Sequence, residues 1–389
     1  MKKKVENLDN NIKGKKISET IERLSKKASK VFIVGHYRPD FDSIGAAVGV
    51  MSMCKQLGVE AYIVVPDDYD VIAPDVKQIV YDLDSKFNII DMYHYSLLKD
   101  KNSLLIMVDV NKENRIAFKD RLNDFKDIVI IDHHDVKEGE TVDDACRLIF
   151  PSSSSACELI AQAMLYKDEK ESKSKYKISK YIATLLYSGI ELDTERFKSR
   201  TTNITHAVAN KLLEYGADKE YINDLFRNDR ATYNTIANLI VNGTVLKQYS
   251  KDFKELGISF NLNKETPDFL YTQEELAKAA DLQIEFKDTD AAFALGYIQK
   301  ELVAISARSS SDSIDVGKIM ESLNGGGSAH SAGTQIYTND IEGVEEQLIQ
   351  IVEDFLSLQE TPVVNLEPDL TAVSQPFKRY RRRKRNRQT

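Results

Sequence analysis

Residues 31–46 read VFIVGHYRPDFDSIGA. An unbroken apolar run leads into Gly35, and His36, Asp40 and Asp42 follow. An apolar run without alternation is what a strand buried on both faces requires. The arrangement recurs: LLIMV (104–108) runs into Asp109, and IVII (128–131) into Asp132, His133 and His134. AYIVV (61–65) reads as a further strand, while 17–28 and 43–57 carry helical spacing. This alternation predicts an α/β fold, with a doubly wound parallel sheet as its first domain.

The length of 389 residues leaves room for two or three domains, and 42% apolar residues suffice for ordinary globular cores. No apolar run reaches the ~20 residues that a membrane-spanning helix needs. The lysine-rich start has no apolar stretch behind it and is not a secretory signal. Three scattered cysteines exclude a disulfide framework or zinc cluster, so a reducing, cytoplasmic setting is expected. Net charge is −8, yet 378–387 holds eight Lys or Arg and no acid, leaving −16 for the rest. An acidic body is no nucleic-acid-coating surface. The tail beyond about 358 has no apolar face and is expected to be disordered, available to RNA or anionic lipid.

Helical patterns cover 154–165, 178–186, 205–215 and 219–226, with a polar surface loop at 167–175. A second unit begins near 236, after a helical connector at 206–235. ISFNL (258–262), AAFALGYI (291–298) and LVAISA (302–307) read as strands, the last two joined as a hairpin. Helices are expected at 316–323 and 344–356. The domains are therefore 1–205, 236–357 after the connector, and a basic tail at 358–389.

In open α/β sheets, sites form at the carboxyl ends of strands. His36, Asp40, Asp42, Asp109, His133 and Asp193 would then meet in one crevice. Gathered carboxylates repel one another, and a divalent cation resolves the conflict because ionised Asp and neutral His are ligands. Six candidates exceed one ion's need and suit two ions sharing a carboxylate. Without thiolate the set favours Mn²⁺ over Zn²⁺, with Mg²⁺ an alternative. A single Asp or His at a strand end is ordinarily a turn former or cap; four such segments together are not.

At these residues the sequence resembles the DHH phosphoesterase superfamily. HYRPDFDSIGA looks like its first motif, VDVN (108–111) its second, DHH (132–134) its third and Asp193 its fourth. SSSSACELI (152–160), FKSRTTN (197–203), LAKAADLQIEF (276–286), AISARSS (304–310) and NGGGSAHSAGTQI (324–336) extend the resemblance to the catalytic half of GdpP-type cyclic-di-AMP phosphodiesterases. It implies a DHH catalytic domain followed by a smaller α/β, DHH-associated substrate-binding domain, and a homodimer. The membrane helices, PAS-like and GGDEF domains of such proteins have no counterpart in this sequence.

Carried across by position, the resemblance implies that His36, Asp40 and Asp109 hold one metal. Asp42, Asp109, His133 and Asp193 would hold the other. His134 would contact substrate phosphate and Asp132 would orient a metal-bound histidine. Arg308 would reach a phosphate, and Gly325, Gly326 and Gly327 would admit the nucleotide, with Ser328 and His330 beside them. The family carries His where this chain has Ser328, which bears on nucleotide choice. The implied activity is two-metal hydrolysis of a cyclic dinucleotide, cyclic-di-AMP to pApA. The alternatives are a nano-RNase or pAp phosphatase of the same superfamily, and a nucleotide- or RNA-binding module.

Overall fold

The structure is a computed structural model. It describes residues 12–357 apart from 69–71, 73, 85–86, 117–118, 137–141, 143, 171–177, 228–229, 242, 250–254 and 263–268. The tail and most of the polar loop expected at 167–175 lie outside the described residues. The chain divides into two compact units, Met1–Arg227 and Asn228–Thr389.

The first unit runs α1 (Ile12–Ser25), β1 (Val31–Val34), α2 (Phe41–Gln56), β2 (Ala61–Val64), α3 (Pro74–Asp84), β3 (Ile89–Ile90), α4 (Met92–Leu98), β4 (Leu104–Val108), β5 (Asp127–Asp132) and β6 (Cys146–Ile149). Four helices complete it: α5 (Ala156–Lys170), α6 (Lys180–Asp193), α7 (Asn203–Glu214) and α8 (Lys219–Leu225). All six strands are parallel, in the order β3-β2-β1-β4-β5-β6. The central strands β1 and β4 are buried on both faces, as their unbroken apolar runs require. Val31 and Ile33 of β1 pack with Ile106 and Val108 of β4 against α1, α2, α5 and α6. Phe32, Val34, Leu105 and Met107 face the other way, onto Tyr95 and Phe125. Helices α7 and α8, placed by the sequence largely in a connector, belong to this first unit.

The second unit runs α9 (Arg230–Val241), β7 (Thr244–Tyr249), β8 (Glu255–Leu262), α10 (Gln273–Gln283), β9 (Ala291–Gln299), β10 (Leu302–Ser309), α11 (Val316–Glu321), β11 (Gly326–Gly327), β12 (Ser331–Tyr337) and α12 (Ile341–Ser357). Its sheet has the order β11-β12-β10-β9-β8-β7 and is antiparallel except for the β8–β9 pair. One face packs on α11 and α12 through Val303, Ile305, Ala307, Leu348 and Val352. The other, lined by Ala292, Ala294 and Ala304, packs on α9 and α10. No described helix is long and apolar enough to cross a membrane.

Candidate metal centre

Strand order in the first unit reverses between β1 and β4, and in such sheets a crevice opens at that switch point. His36 follows β1 and Asp109 follows β4. His36 Nε2 stands 3.3 Å from Asp109 Oδ2 and 3.6 Å from Asp40 Oδ2. Asp40 divides its carboxylate: Oδ1 caps α2, accepting from the amides of Asp42 and Ser43, while Oδ2 faces His36. Asp109 is itself in the left-handed region, at φ 57°, which Asp tolerates better than most residues. Its amide continues the sheet by donating to the Ile131 carbonyl at 3.0 Å.

His133, just past β5, lies 3.1 Å from Asp193 Oδ2, 3.5 Å from Asp109 Oδ1 and 3.9 Å from Asp42 Oδ2. Asp42 is fully buried in the first turn of α2. Its two oxygens accept from the first amides of α5, Ala156 and Cys157, both at 2.7 Å. Glycine is required at 189 for this approach, since a Cβ there would stand 2.8 Å from Asp42 Cα and 2.5 Å from Cys157 Sγ. Asp193 is the last residue of α6, where the helix dipole is unfavourable to a carboxylate and a neighbouring cation would offset it.

Potential ligand atoms of His36, Asp40 and Asp109 lie within 4.8 Å of one another, as do those of Asp42, His133 and Asp193. Asp109 Oδ1 and His133 Nε2 are buried yet make no hydrogen bond among the described residues. Short contacts without hydrogen-bond geometry are what atoms converging on a common centre produce. Carboxylates and imidazoles with orphaned, buried donor atoms fit a hard or borderline divalent cation.

Protons stand in for cations in the charge balance. Burial pulls the His36 imidazole down, but the Asp109 and Asp40 carboxylates overcome it and push it up to about 10. His133 is likewise opposed by burial and raised to about 11 by Asp109, Asp193 and Asp42. Burial pushes Asp42 well up, with the Asp193 and Asp109 charges adding to it. Asp193 moves the same way, again mainly through burial. Asp109 is instead held below the usual carboxylate range: burial opposes this, but the two imidazoles prevail.

Asp132 lies against both histidines, with an oxygen within 4.8 Å of a ring nitrogen of each. Its Oδ1 accepts from the His133 and His134 amides and lies 2.9 Å from His134 Nδ1. It therefore orients His134, whose side chain is 48% exposed. The sequence reading gave no role to the amides that hold Asp42. Their signal was Ser155-Ala-Cys-Glu158, a helix-start pattern in which the Ser155 hydroxyl accepts from the Glu158 amide at 2.9 Å.

In the second unit, Arg308 donates from Nε to Asp281 Oδ1 at 2.6 Å. Gly326 and Gly327 form β11, paired with Gly333 and Ala332. Gly327 has φ 155°, and a side chain there would collide with Ser331 and Ala332, so the hairpin itself demands that glycine. Ser328 closes the turn: its hydroxyl accepts from the Ser331 amide at 3.1 Å. His330 Nδ1 lies 3.1 Å from the Ser309 carbonyl and its Nε2 3.7 Å from Asp312. His330 immediately precedes β12.

Residues 30–190 match the DHH family, N-terminal domain, and 262–358 the DHHA1 domain. The chain is 29% identical over 348 residues to the cyclic-di-AMP phosphodiesterase PdeA of Listeria monocytogenes, covering 88% of this chain and 50% of that protein. It is 28% identical over 350 residues to the cyclic-di-AMP phosphodiesterase GdpP of Bacillus subtilis, with the same coverage. The chain thus spans about half the length of these curated relatives. A probable manganese-dependent inorganic pyrophosphatase of Streptococcus thermophilus is 31% identical over 199 residues, 47% of this chain and 54% of that protein. Among solved structures, an exopolyphosphatase-related protein of Bacteroides fragilis shares the fold, with TM-score 0.72 and 21% identity, over 88% of this chain and 97% of that one. With a DHH N-terminal domain followed by a DHHA1 domain, the chain belongs to the DHH family of phosphoesterases.

Proposed function

We propose that this chain is a metal-dependent phosphodiesterase that opens a cyclic dinucleotide, cyclic-di-AMP, to linear pApA. The observation that carries the reading is the meeting of six metal-donor side chains from four separate segments at one crevice. Alignment with two cyclic-di-AMP phosphodiesterases over 88% of the chain supports the substrate. His36, Asp40 and Asp109 would hold one cation, and Asp42, Asp109, His133 and Asp193 the other. Two Mn²⁺ ions would supply Lewis acidity and a water acidified towards neutrality.

The chain's own groups do the rest. The α5 amides fix Asp42 through both of its oxygens, so this donor cannot swing away. Asp132 takes the Nδ1 side of His134, leaving Nε2 for a phosphate oxygen, as a donor when the ring is protonated. Water adds to one phosphorus, the bond to the 3′ oxygen breaks, and the proton lost by water passes to that oxygen. Arg308 would hold phosphate charge. The test is incubation with Mn²⁺ and cyclic-di-AMP, with products identified by mass and rates compared with those on pApA and pAp. Formation of pApA is expected. Its absence from a metal-loaded protein overturns the reading, and faster turnover of pAp would transfer it to the phosphatase alternative.

A further inference from the structure

Strand alternation puts Arg308 on the face of its sheet that carries Ala304 and packs against α10. Its cross-strand partners, Ala292 and Ser331, are small, so the arginine stem lies along the sheet. Asp281 of α10 meets the side-on edge of the guanidinium. Nε donates to Oδ1 at 2.6 Å, and Nη2 to Oδ2 at a longer 3.5 Å. Nη1 donates at 3.0 Å to the Ala307 carbonyl, which lies back along the stem.

A guanidinium has five N–H donors in a rigid plane. Asp281 and Ala307 use three. The remaining two, one on each Nη, form the parallel end-on pair, and no other acceptor among the described residues meets them. That pair matches two oxygens of a phosphate. The neighbouring cross-strand row consists of Ser306, Gly333 and Gly326. A Cβ at Gly326 would meet nothing within 4 Å, so the outer end of that row is open.

We propose that Asp281 is a positioning residue: it grips Arg308 by one edge and thereby presents the other, ready-oriented, to a phosphate of the nucleotide. This rests on the phosphodiesterase reading above and assigns the second unit's phosphate specificity to a two-residue device. A flexible arginine would have to be ordered by the substrate itself. One already held by a carboxylate avoids that entropy loss on binding.

Asp281→Asn and Asp281→Glu test it, at a half-exposed position where folding is not at stake. In Asp281→Asn the KM for cyclic-di-AMP should rise about tenfold, the usual scale for losing a charge-assisted hydrogen bond. Its kcat should move less than twofold and Mn²⁺ uptake should match the wild type. Asp281→Glu should recover most of the loss. An unchanged or lowered KM in Asp281→Asn overturns the proposal; a lowered value would mean that Asp281 competes with phosphate. Calorimetric binding of pApA to the Mn²⁺-loaded proteins separates this from the wider reading. A wild type without turnover, whose pApA affinity still falls in Asp281→Asn, refutes only the cyclic substrate. Wild-type turnover with KM unmoved in the variant refutes only the positioning role, and a wild type that neither turns over nor binds refutes both.

Discussion

Asp109→Asn probes most directly the proposal that one carboxylate serves two ions. Asp109 turns Oδ2 to His36 at 3.3 Å and Oδ1 to His133 at 3.5 Å, one oxygen towards each proposed ion. Asparagine suits the φ of 57° as well as aspartate does, so the backbone should survive, whereas alanine would add strain. Groups that merely hold a metal ligand in place are worth ten- to a hundredfold in affinity. A ligand shared by both ions should exceed that, so each ion should weaken by more than about a hundredfold, roughly 2.8 kcal/mol. Asp40→Asn is the control. Asp40 stands beside His36 in one ligand group only, so a single ion should be lost. Titration with Mn²⁺, followed by calorimetry and by the electron spin resonance of free ion, counts the ions, and turnover is measured alongside. Turnover should vanish in Asp109→Asn. If this variant retains two tight ions, or loses only one, Asp109 is not shared and the two-ion reasoning fails.

In metal-free protein, His36 at about 10 and His133 at about 11 sit above the usual 6.5. The stability they contribute is fully present below pH 6.5 and drains as pH climbs through 10 to 11. Melting in EDTA should therefore fall over that alkaline window, and a flat profile there would refute the assignment. Cations must displace these protons, so Mn²⁺ binding near pH 8 should release protons, seen by calorimetry in buffers of different ionisation enthalpy. Gly189→Ala would drive a Cβ to 2.8 Å from Asp42 Cα; overpacking of this kind costs about 1–3 kcal/mol, so Tm and Mn²⁺ affinity should fall together. Ser328→His removes the hydroxyl that closes the β11–β12 turn and puts an imidazole in its place. The ratio of rates on cyclic-di-AMP and pApA should shift at least threefold with Mn²⁺ uptake unchanged, and a constant ratio would show that the position lies outside the nucleotide site.

The first sheet was legible where burial on both faces forces unbroken apolar runs, as in VFIV, LLIM and IVII. It was not legible at its edges. β3 is two residues long, and β6 exposes Arg147 in its middle, so neither carries an apolar run. β12 escaped for another reason: SAGTQIY has a single β-branched aliphatic residue, and its strand form comes from seven register pairs with β10. The same split governs the site. Cations accept few side-chain types, and the switch point offers few places for them, so His36, Asp109 and His133 stand out in the sequence. Phosphate can be held by any donor edge that a neighbour presents. The grip of Asp281 on Arg308 joins two residues 27 positions apart with no spacing rule between them, and only the packing of α10 on β10 brings them together. Substrate choice in this chain should therefore yield to changes on α10 that leave every metal donor untouched.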